Sequence, residues 1–212
     1  MSAAGAAILI LVGFALGAVP WGVVLGRLFL RTDLREHGSG NIGTTNAYRV
    51  LGWRFSLAVL VLDIFKGAIP VLVTRWLGGG DWLQSMVALA TVAGHCWSPF
   101  IRFRGGKGVA TTAGAAAALT PWVLLAFPLM VVIVARWRYV SLASLAGAVA
   151  AAIGMTIAYL LGHGHAAWVF ALWTMGAMIV FQHRDNIARL RQGNERRLTR
   201  RRSMPVHGTA LR

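Results

Sequence analysis

The sequence predicts an all-α integral membrane protein with seven transmembrane helical segments, its N-terminus outside and its C-terminus cytoplasmic. Of 212 residues, 57% are hydrophobic and 13% are charged, which argues against a soluble domain with an ordinary core. Several apolar runs approach or exceed the roughly 20 residues that cross a bilayer. The net charge of +15 gathers in short segments between those runs, as the positive-inside rule expects of cytoplasmic loops.

Six apolar runs define the elements of this bundle. The first lacks the positively charged start of a signal peptide, so we interpret it as a retained span whose tip lies on the far side. Glycine-rich turns, Gly78–Asp81 and Gly162–His165, separate two pairs of runs. In chain order the predicted spans are Ala3–Leu30, Phe55–Leu77, Trp82–Trp97, Val109–Val134, Tyr139–Leu161 and Ala166–Gln182.

The fourth run is predicted to break at Thr120–Pro121. A single crossing would put the basic segments Arg102–Lys107 and Arg136–Arg138 on opposite faces, against the positive-inside rule. Proline breaks one helix and starts another, which returns both segments to the same face. The first half, Val109–Leu119, is then a helix of roughly 16 Å, too short to cross lipid alone. It is expected to pack inside the bundle as a half-helix.

One polytopic domain, residues 1–197, is expected to hold all of these spans. Residues 198–212 are interpreted as a basic, disordered cytoplasmic tail that is attracted to anionic lipid headgroups. Nucleic-acid binding is the poorer explanation of the charge, and we predict no nucleic-acid partner. The single cysteine, Cys96, excludes an internal disulfide and a zinc cluster of cysteine type. Two histidines in one turn, His163 and His165, are too little for a metal site, so no metal is predicted.

Three polar clusters fall on the inner face. The second, Gly94–Thr112, contains the turn Gly105–Gly108 directly before the half-helix. Flexible glycines and a helix N-terminus present N–H groups to an anion, and Lys107 adds charge, with Thr111 one turn further on. This pattern is typical of a phosphate site, although it is not a Walker A loop. A plain glycine turn with basic side chains at the membrane interface is the alternative.

The first and third clusters have simpler alternatives when taken alone. The first, Gly38–Arg49, could be a polar connector that caps the next helix. The third, His183–Leu190, could be a solvated helix end, although its spacing places His183 and Asn186 on one helical face. Within the second span, Asp63 and Lys66 are three residues apart and are interpreted as an ion pair at least as readily as a catalytic pair. Ser141 and Ser144 are small polar residues that also serve to join helices.

Together the clusters resemble the bacterial acyl-phosphate:glycerol-3-phosphate acyltransferases of the PlsY type. The resemblance covers nearly the whole chain to about Arg197, with small departures at Thr44 and Arg104. It rests on GSGNIGTTN followed by Arg49, DIFKG from Asp63, the Gly94–Thr111 stretch ending in GGKGVAT, RYVSLAS from Arg138, and HRDNIARL with Gly193.

The resemblance implies an enzyme that moves a fatty acyl group from acyl phosphate to the 1-hydroxyl of glycerol 3-phosphate. The products would be lysophosphatidic acid and phosphate, the first acylation of phospholipid synthesis, at the bacterial inner membrane. It implies no cofactor, and as partners the lipid bilayer and a soluble phosphate acyltransferase that makes the donor. The implied donor-binding residues are Ser39, Asn41, Thr45, Gly106, Lys107, Gly108 and Thr111. The implied acceptor-binding residues are Arg49, Ser144, His183 and Asn186, and the implied catalytic residues are Ser39, Asn46, Lys107 and His183.

Acyl phosphate is already activated, so the protein has only to hold two anions together and stabilise an oxyanion. No covalent acyl-enzyme is expected. Ser39, Asn46 or a loop N–H are the candidate oxyanion donors. The base is either His183 or a substrate phosphate oxygen, and the phosphate is the preferred candidate. The rival class is an anion transporter, in which half-helix N-termini also face phosphate. A basic membrane scaffold would explain the tail but not the three clusters.

Overall fold

The computed structural model describes residues 1–198, and every regular element in that part of the chain is a helix. The predicted all-α class is therefore confirmed. Residues 199–212, most of the predicted tail, lie outside the described residues. Leu198 belongs to the folded part, because its N–H donates to the Arg138 carbonyl at 2.7 Å. The α-helices are α1 Ala3–Ala18, α2 Trp21–Leu30, α3 Thr44–Val50, α4 Trp53–Trp76, α5 Asp81–Cys96, α6 Val109–Leu119, α7 Phe127–Trp137, α8 Val140–Leu160, α9 Ala166–Gln182 and α10 Arg184–Arg191.

The first apolar run is broken, although the sequence predicts a continuous span. Helices α1 and α2 are bent by 43° at Val19–Pro20. Proline lacks a backbone N–H, so the helix cannot continue regularly through Pro20. Two backbone carbonyl groups at the break accept hydrogen bonds from side chains of other segments. Ser98 Oγ donates to the Ala18 carbonyl at 2.6 Å, and Lys66 Nζ donates to the Val19 carbonyl at 2.8 Å.

The predicted half-helix is confirmed as α6. It ends at Leu119, and Pro121 begins a short 3-10 helix that leads into α7. Arg75 Nη2 donates to the Leu119 carbonyl at 3.0 Å and so satisfies one of the free acceptors at the end of α6. At the α4–α6 crossing, a Cβ on Gly114 would lie 2.0 Å from the Ile64 carbonyl oxygen. The two backbones therefore touch, and α6 is fixed inside the bundle.

Two polar segments form short helices of their own. The end of the first cluster is not a plain connector, because Thr44–Val50 forms the short helix α3. The third cluster does not continue α9, since α10 is bent by 62° away from it at His183. His183 and Asn186 nevertheless remain buried on one side, at 2% and 6% exposure, as their spacing predicts.

The outer surface suits a lipid environment. Helices α4 and α8 are each long and apolar enough to cross a membrane, and the bent pairs α1–α2 and α9–α10 also pass as spans. Large apolar side chains such as Phe65, Leu125 and Leu160 are more than half exposed. Exposed apolar area on this scale is typical of a surface that faces lipid.

Asp63 and Lys66 form the predicted i, i+3 pair inside α4. The Lys66 Nζ lies 2.8 Å from Asp63 Oδ1, and both side chains are almost fully buried. His95 Nδ1 approaches the same carboxylate oxygen at 3.8 Å. Because Lys66 also bonds to Val19, the pair joins α4 to the α1–α2 break.

Candidate active site

The first polar cluster is folded around the side chain of Asn46. The Asn46 Oδ1 accepts a hydrogen bond from the Ser39 N–H at 2.8 Å. Its Nδ2 lies within hydrogen-bond distance of three carbonyl oxygens, those of Leu34, His37 and Asn41, at 3.0, 3.0 and 2.9 Å. Asn46 is 2% exposed, and its polar atoms are all engaged by the loop. In this structure it supports the loop from beneath.

Gly38 fits over Asn46 because it has no side chain. Its φ is +64°, and a Cβ there would lie 2.2 Å from Asn46 Oδ1. The next residue, Ser39, is exposed, and within residues 1–198 its hydroxyl makes no hydrogen bond. The Ser39 hydroxyl is therefore available to a substrate.

Helix α3 begins from a capped turn. The Asn41 side chain accepts from the Gly43 N–H at 2.9 Å, which closes the turn before Thr44. Thr45 and Arg49 follow on α3, and both are half-buried. The turn thus positions the predicted side chains of the first cluster at the beginning and end of one short helix.

Asp33, which the sequence analysis did not single out, holds the loop from the other side. Its carboxylate lies 2.7 Å from the Nη2 atoms of both Arg27 and Arg35. The hydrogen bonds from Arg35 are the main reason that the pKa of Asp33 falls well below its usual range. Like Asn46, Asp33 restricts the conformations that the first cluster can adopt.

The second cluster turns back onto the end of α5. The N–H groups of Gly105 and Gly106 donate to the Cys96 and His95 carbonyls at 3.2 and 3.0 Å. A Cβ on Gly106 would lie 2.1 Å from His95 Nε2, so the turn lies directly against the imidazole ring. The Gly106 N–H is thus engaged by protein. The N–H groups of Lys107 and Gly108 donate to no protein acceptor within residues 1–198, and they remain for an anion together with those of the first turn of α6.

Gly108 and Thr111 occupy different environments on α6. Gly108 caps the helix in a left-handed conformation, with a φ of +78°. Thr111 is fully buried, and its Oγ1 has no hydrogen-bond partner among residues 1–198. Its carbonyl oxygen faces Gly67 of α4. The structure therefore brings Gly108 to the site and places Thr111 in the helix–helix contact beneath it.

Lys107 joins the second cluster to the third. Its Nζ donates a hydrogen bond to Asn186 Oδ1 on α10. The Asn186 Nδ2 in turn donates to Glu195 Oε1 at 2.6 Å. Burial is the main reason that the pKa of Lys107 falls from 10.5 to about 8. A lysine in this position is a compact cation that is still mostly protonated at neutral pH.

Glu195 is the residue of this site that sequence reasoning missed. It accepts hydrogen bonds from Ser141 Oγ at 2.9 Å, from Asn186, and from Arg189 Nε at 2.8 Å. Burial raises the pKa of Glu195, but those hydrogen bonds outweigh it and lower the net value. Its rarity was the available signal, since it is one of only six acidic residues in the chain and lies in the most basic segment.

The two serines of α8 have different partners. Ser144, the predicted acceptor-binding residue, donates to the Val140 carbonyl of its own helix at 2.8 Å. Ser141 bonds instead to Glu195 and so contacts the polar network directly. Ser144 lies one turn further along α8, away from that network's hydrogen bonds.

His183 is held in one tautomer at the junction of α9 and α10. Its Nδ1 lies 2.8 Å from the Ile179 carbonyl, which can only accept, so Nδ1 carries the proton. The Nε2 of the neutral ring is then an acceptor. Burial, followed by the nearby charge of Lys107, lowers the pKa of His183 to about 4. The ring is therefore neutral at pH 7 and can receive a hydrogen bond from a hydroxyl.

The three clusters converge at one end of the bundle. Arg196 Nη1 donates to the Gly38 carbonyl at 2.8 Å, which joins the segment after α10 to the first cluster. Burial lowers the pKa of Arg49, Arg196 lowers it further, and Glu195 opposes the change. The charge of Arg49 likewise lowers the pKa of Lys107. The excess of positive charge at this end of the bundle favours the binding of anions.

This chain is similar in sequence to a family of known proteins. Residues 7–193 match the family described as "Glycerol-3-phosphate acyltransferase". A curated glycerol-3-phosphate acyltransferase of Thermus thermophilus is 45% identical over 194 residues, covering 91% of this chain and 94% of the relative. One from Rubrobacter xylanophilus is 43% identical over 191 residues, covering 90% and 94%.

Two solved structures share the fold. The crystal structure of PlsY (YgiH), an integral membrane glycerol 3-phosphate acyltransferase, in its glycerol 3-phosphate form, aligns with a TM-score of 0.85 at 38% identity, covering 92% of this chain and 96% of that one. Its lysophosphatidic acid form aligns with a TM-score of 0.82 at 36% identity, covering 91% and 95%. By sequence and by fold, this chain belongs to the PlsY family of glycerol-3-phosphate acyltransferases.

Proposed function

We propose that this protein transfers a fatty acyl group from acyl phosphate to the 1-hydroxyl of glycerol 3-phosphate, giving 1-acyl-glycerol 3-phosphate and phosphate. The observation that carries the proposal is the contact of Lys107, on the loop before α6, with Asn186 on α10. This contact places the glycine turn that carries Lys107 and the neutral imidazole of His183 at the same end of an apolar bundle. Both substrates carry phosphate, and the acyl chain has lipid beside it.

The donor occupies the side of the site formed by the first two clusters. Lys107 and the first-turn N–H groups of α6 bind its phosphate, with Gly106 and Gly108 shaping the turn. Ser39 donates its free hydroxyl, and Asn41 and Thr45 line the loop. Asn46 and Thr111 are buried below these contacts, so they support the loop and α6 and do not touch the donor.

The acceptor occupies the side formed by α3, α8 and α10. Arg49 binds its phosphate as a bidentate cation. Asn186 orients the Lys107 ammonium between the two substrates. The His183 Nε2 accepts a hydrogen bond from the 1-hydroxyl, and Ser144 lines this side of α8.

The reaction needs no covalent acyl-enzyme. The 1-hydroxyl oxygen attacks the acyl carbon, a carbon–oxygen bond forms, and the bond to the phosphate oxygen breaks. Ser39 or a loop N–H donates to the developing oxyanion. The hydroxyl proton passes to an oxygen of the donor's phosphate, because a ring with a pKa of about 4 is a weak base at neutral pH. The phosphate departs with that proton.

The protein is proposed to have seven transmembrane segments and a cytoplasmic active site in the bacterial inner membrane. The contacts that tie Arg196 to Gly38, Lys107 to Asn186 and Leu198 to Arg138 support this topology, because they bring the loop before α3, the loop before α6, the α7–α8 junction and the segment after α9 to one end. The positive-inside rule assigns that end to the cytoplasm. There the enzyme receives its donor from a soluble phosphate acyltransferase, and residues 1–197 form one catalytic domain.

A phosphate-release assay tests the proposal directly. Purified protein in detergent is supplied with acyl phosphate and glycerol 3-phosphate, together and separately. Release that requires both substrates, with stoichiometric lysophosphatidic acid, is the expected result. Release from acyl phosphate alone at the same rate would contradict acyl transfer, and absence of release with both would contradict the proposed donor.

A further inference from the structure

The segment after α10 returns across the candidate site. Gly193 ends the helix with a φ of +73°, and the chain then runs through residues 194–198, named here the C-terminal strap. Glu195 anchors the strap through its bonds to Ser141, Asn186 and Arg189. Leu198 fixes its other end to Arg138, between α7 and α8. The strap therefore has a defined position over the cationic end of the bundle.

The two consecutive arginines of the strap point to different neighbours. Arg196 donates to the Gly38 carbonyl, beside the free hydroxyl of Ser39. Arg197 turns to Tyr139, with its Nε 3.2 Å from the phenol oxygen and its guanidinium 5.4 Å from the ring centroid. Only Arg196 faces the first cluster.

The charge of Arg196 lacks a carboxylate partner within residues 1–198. The neighbouring carboxylate, Glu195, accepts hydrogen bonds from three other side chains. Arg196 makes no salt bridge in this part of the chain, nor does Arg49, whose charge it opposes. Two guanidinium groups whose charges oppose each other, and that form no salt bridge within residues 1–198, are stabilised by a bound anion.

We infer that Arg196 is a substrate-binding residue that, with Arg49, holds the dianionic phosphate of the acceptor. The inference rests on the proposed function. A guanidinium has five N–H donors, so one can remain on Gly38 while others reach the phosphate. Occupancy of the acceptor site would then also hold the Gly38–Ser39 loop in place for the donor.

The test compares Arg196→Gln with Arg197→Gln in full-length protein, with the two substrates varied separately. Loss of a charged hydrogen bond costs about 1.5–3 kcal/mol, so Arg196→Gln is expected to raise the acceptor KM about tenfold or more. The donor KM and kcat change little, and Arg196→Lys recovers part of the loss. Arg197→Gln, which removes the same charge from the next residue of the strap, where the side chain contacts Tyr139, stays within about twofold of wild type.

Several outcomes would overturn the inference. An unchanged acceptor KM in Arg196→Gln would show that Arg196 does not contact the acceptor phosphate. An equal rise in both glutamine variants attributes the effect to general surface charge. Equal losses for both substrates, together with a lower unfolding midpoint, make Arg196 a structural tie to Gly38. Wild-type protein that releases no phosphate contradicts the proposed function instead, and this is seen before any variant is compared.

Discussion

Lys107 and Asn186, 79 residues apart in the chain, are joined by a hydrogen bond from the lysine ammonium to the amide oxygen. The amide nitrogen of Asn186 is simultaneously bonded to Glu195, so the orientation of the amide is determined on both sides. The lysine is thus held at the N-terminus of α6 by a neutral acceptor, which leaves its charge uncompensated for a substrate phosphate.

Replacement of Lys107 by alanine is expected to raise the donor KM steeply. The contact is a charged hydrogen bond worth about 1.5–3 kcal/mol, which corresponds to roughly tenfold to hundredfold. Initial rates of phosphate release at varied acyl phosphate measure it. Arg191→Ala, which removes an exposed charge on α10, is the control. An unchanged donor KM in Lys107→Ala would show that the loop before α6 does not bind the donor phosphate through Lys107.

The donor kcat/KM of the wild type is expected to fall as the pH rises above about 8. Burial lowers the pKa of Lys107 to about 8, so the ammonium that binds phosphate is present below that pH and is lost above it. Lys107→Arg moves the fall to higher pH, because arginine stays protonated. If the donor kcat/KM falls at the same pH in wild type and in Lys107→Arg, a group other than Lys107 causes the fall.

His183→Gln is expected to retain measurable turnover at saturating glycerol 3-phosphate, with a raised acceptor KM. The neutral ring acts as a hydrogen-bond acceptor, which the glutamine amide oxygen replaces in part. Correspondingly, any inflection of the wild-type kcat between roughly pH 5.5 and 7.5 should persist in His183→Gln, because a substrate phosphate titrates near pH 6 whereas a ring with a pKa of about 4 does not titrate in that range. A loss of about 10²–10⁴ in kcat for the variant would instead identify His183 as the base.

Gly38→Ala is expected to lower the midpoint of thermal unfolding more than Gly40→Ala. Both glycines have positive φ, +64° and +71°, so alanine costs about 1–2 kcal/mol of backbone strain at either position. Only at Gly38 does the new Cβ also collide with Asn46 Oδ1, at 2.2 Å, whereas at Gly40 the nearest atom is 3.3 Å away. Equal midpoints would mean that the loop does not depend on the Asn46 contact.

Glu195→Gln is expected to lower both the unfolding midpoint and the activity. Because hydrogen bonds lower the pKa of Glu195, its stabilising contribution is fully present above the ordinary value of 4.5 and is lost as the pH falls through the lowered value. The variant should therefore be less stable than wild type at pH 7, with the difference shrinking in acid. Glu36→Gln, at the exposed end of the 3-10 helix Leu34–Glu36, is the matched control and should leave the midpoint unchanged.

Much of the fold follows from local sequence. The half-helix ending before Pro121 was predictable because two basic segments had to share a face and proline cannot continue a helix. The break at Pro20 was not predicted, since no charge conflict marked it. Its freed carbonyl groups are satisfied by Ser98 and Lys66, which reach it only once α4 and α5 have packed against α1.

By itself the sequence determined the membrane class, the half-helix and the three polar clusters, because composition, proline and glycine act on their immediate neighbours. Only the tertiary structure decided which side chains meet. Ser141 rather than Ser144 contacts Glu195, and Arg196 rather than Arg197 contacts Gly38. Spacing along the chain cannot distinguish these neighbours, since the rotation of α8 and the path of the strap are set by packing across the whole bundle.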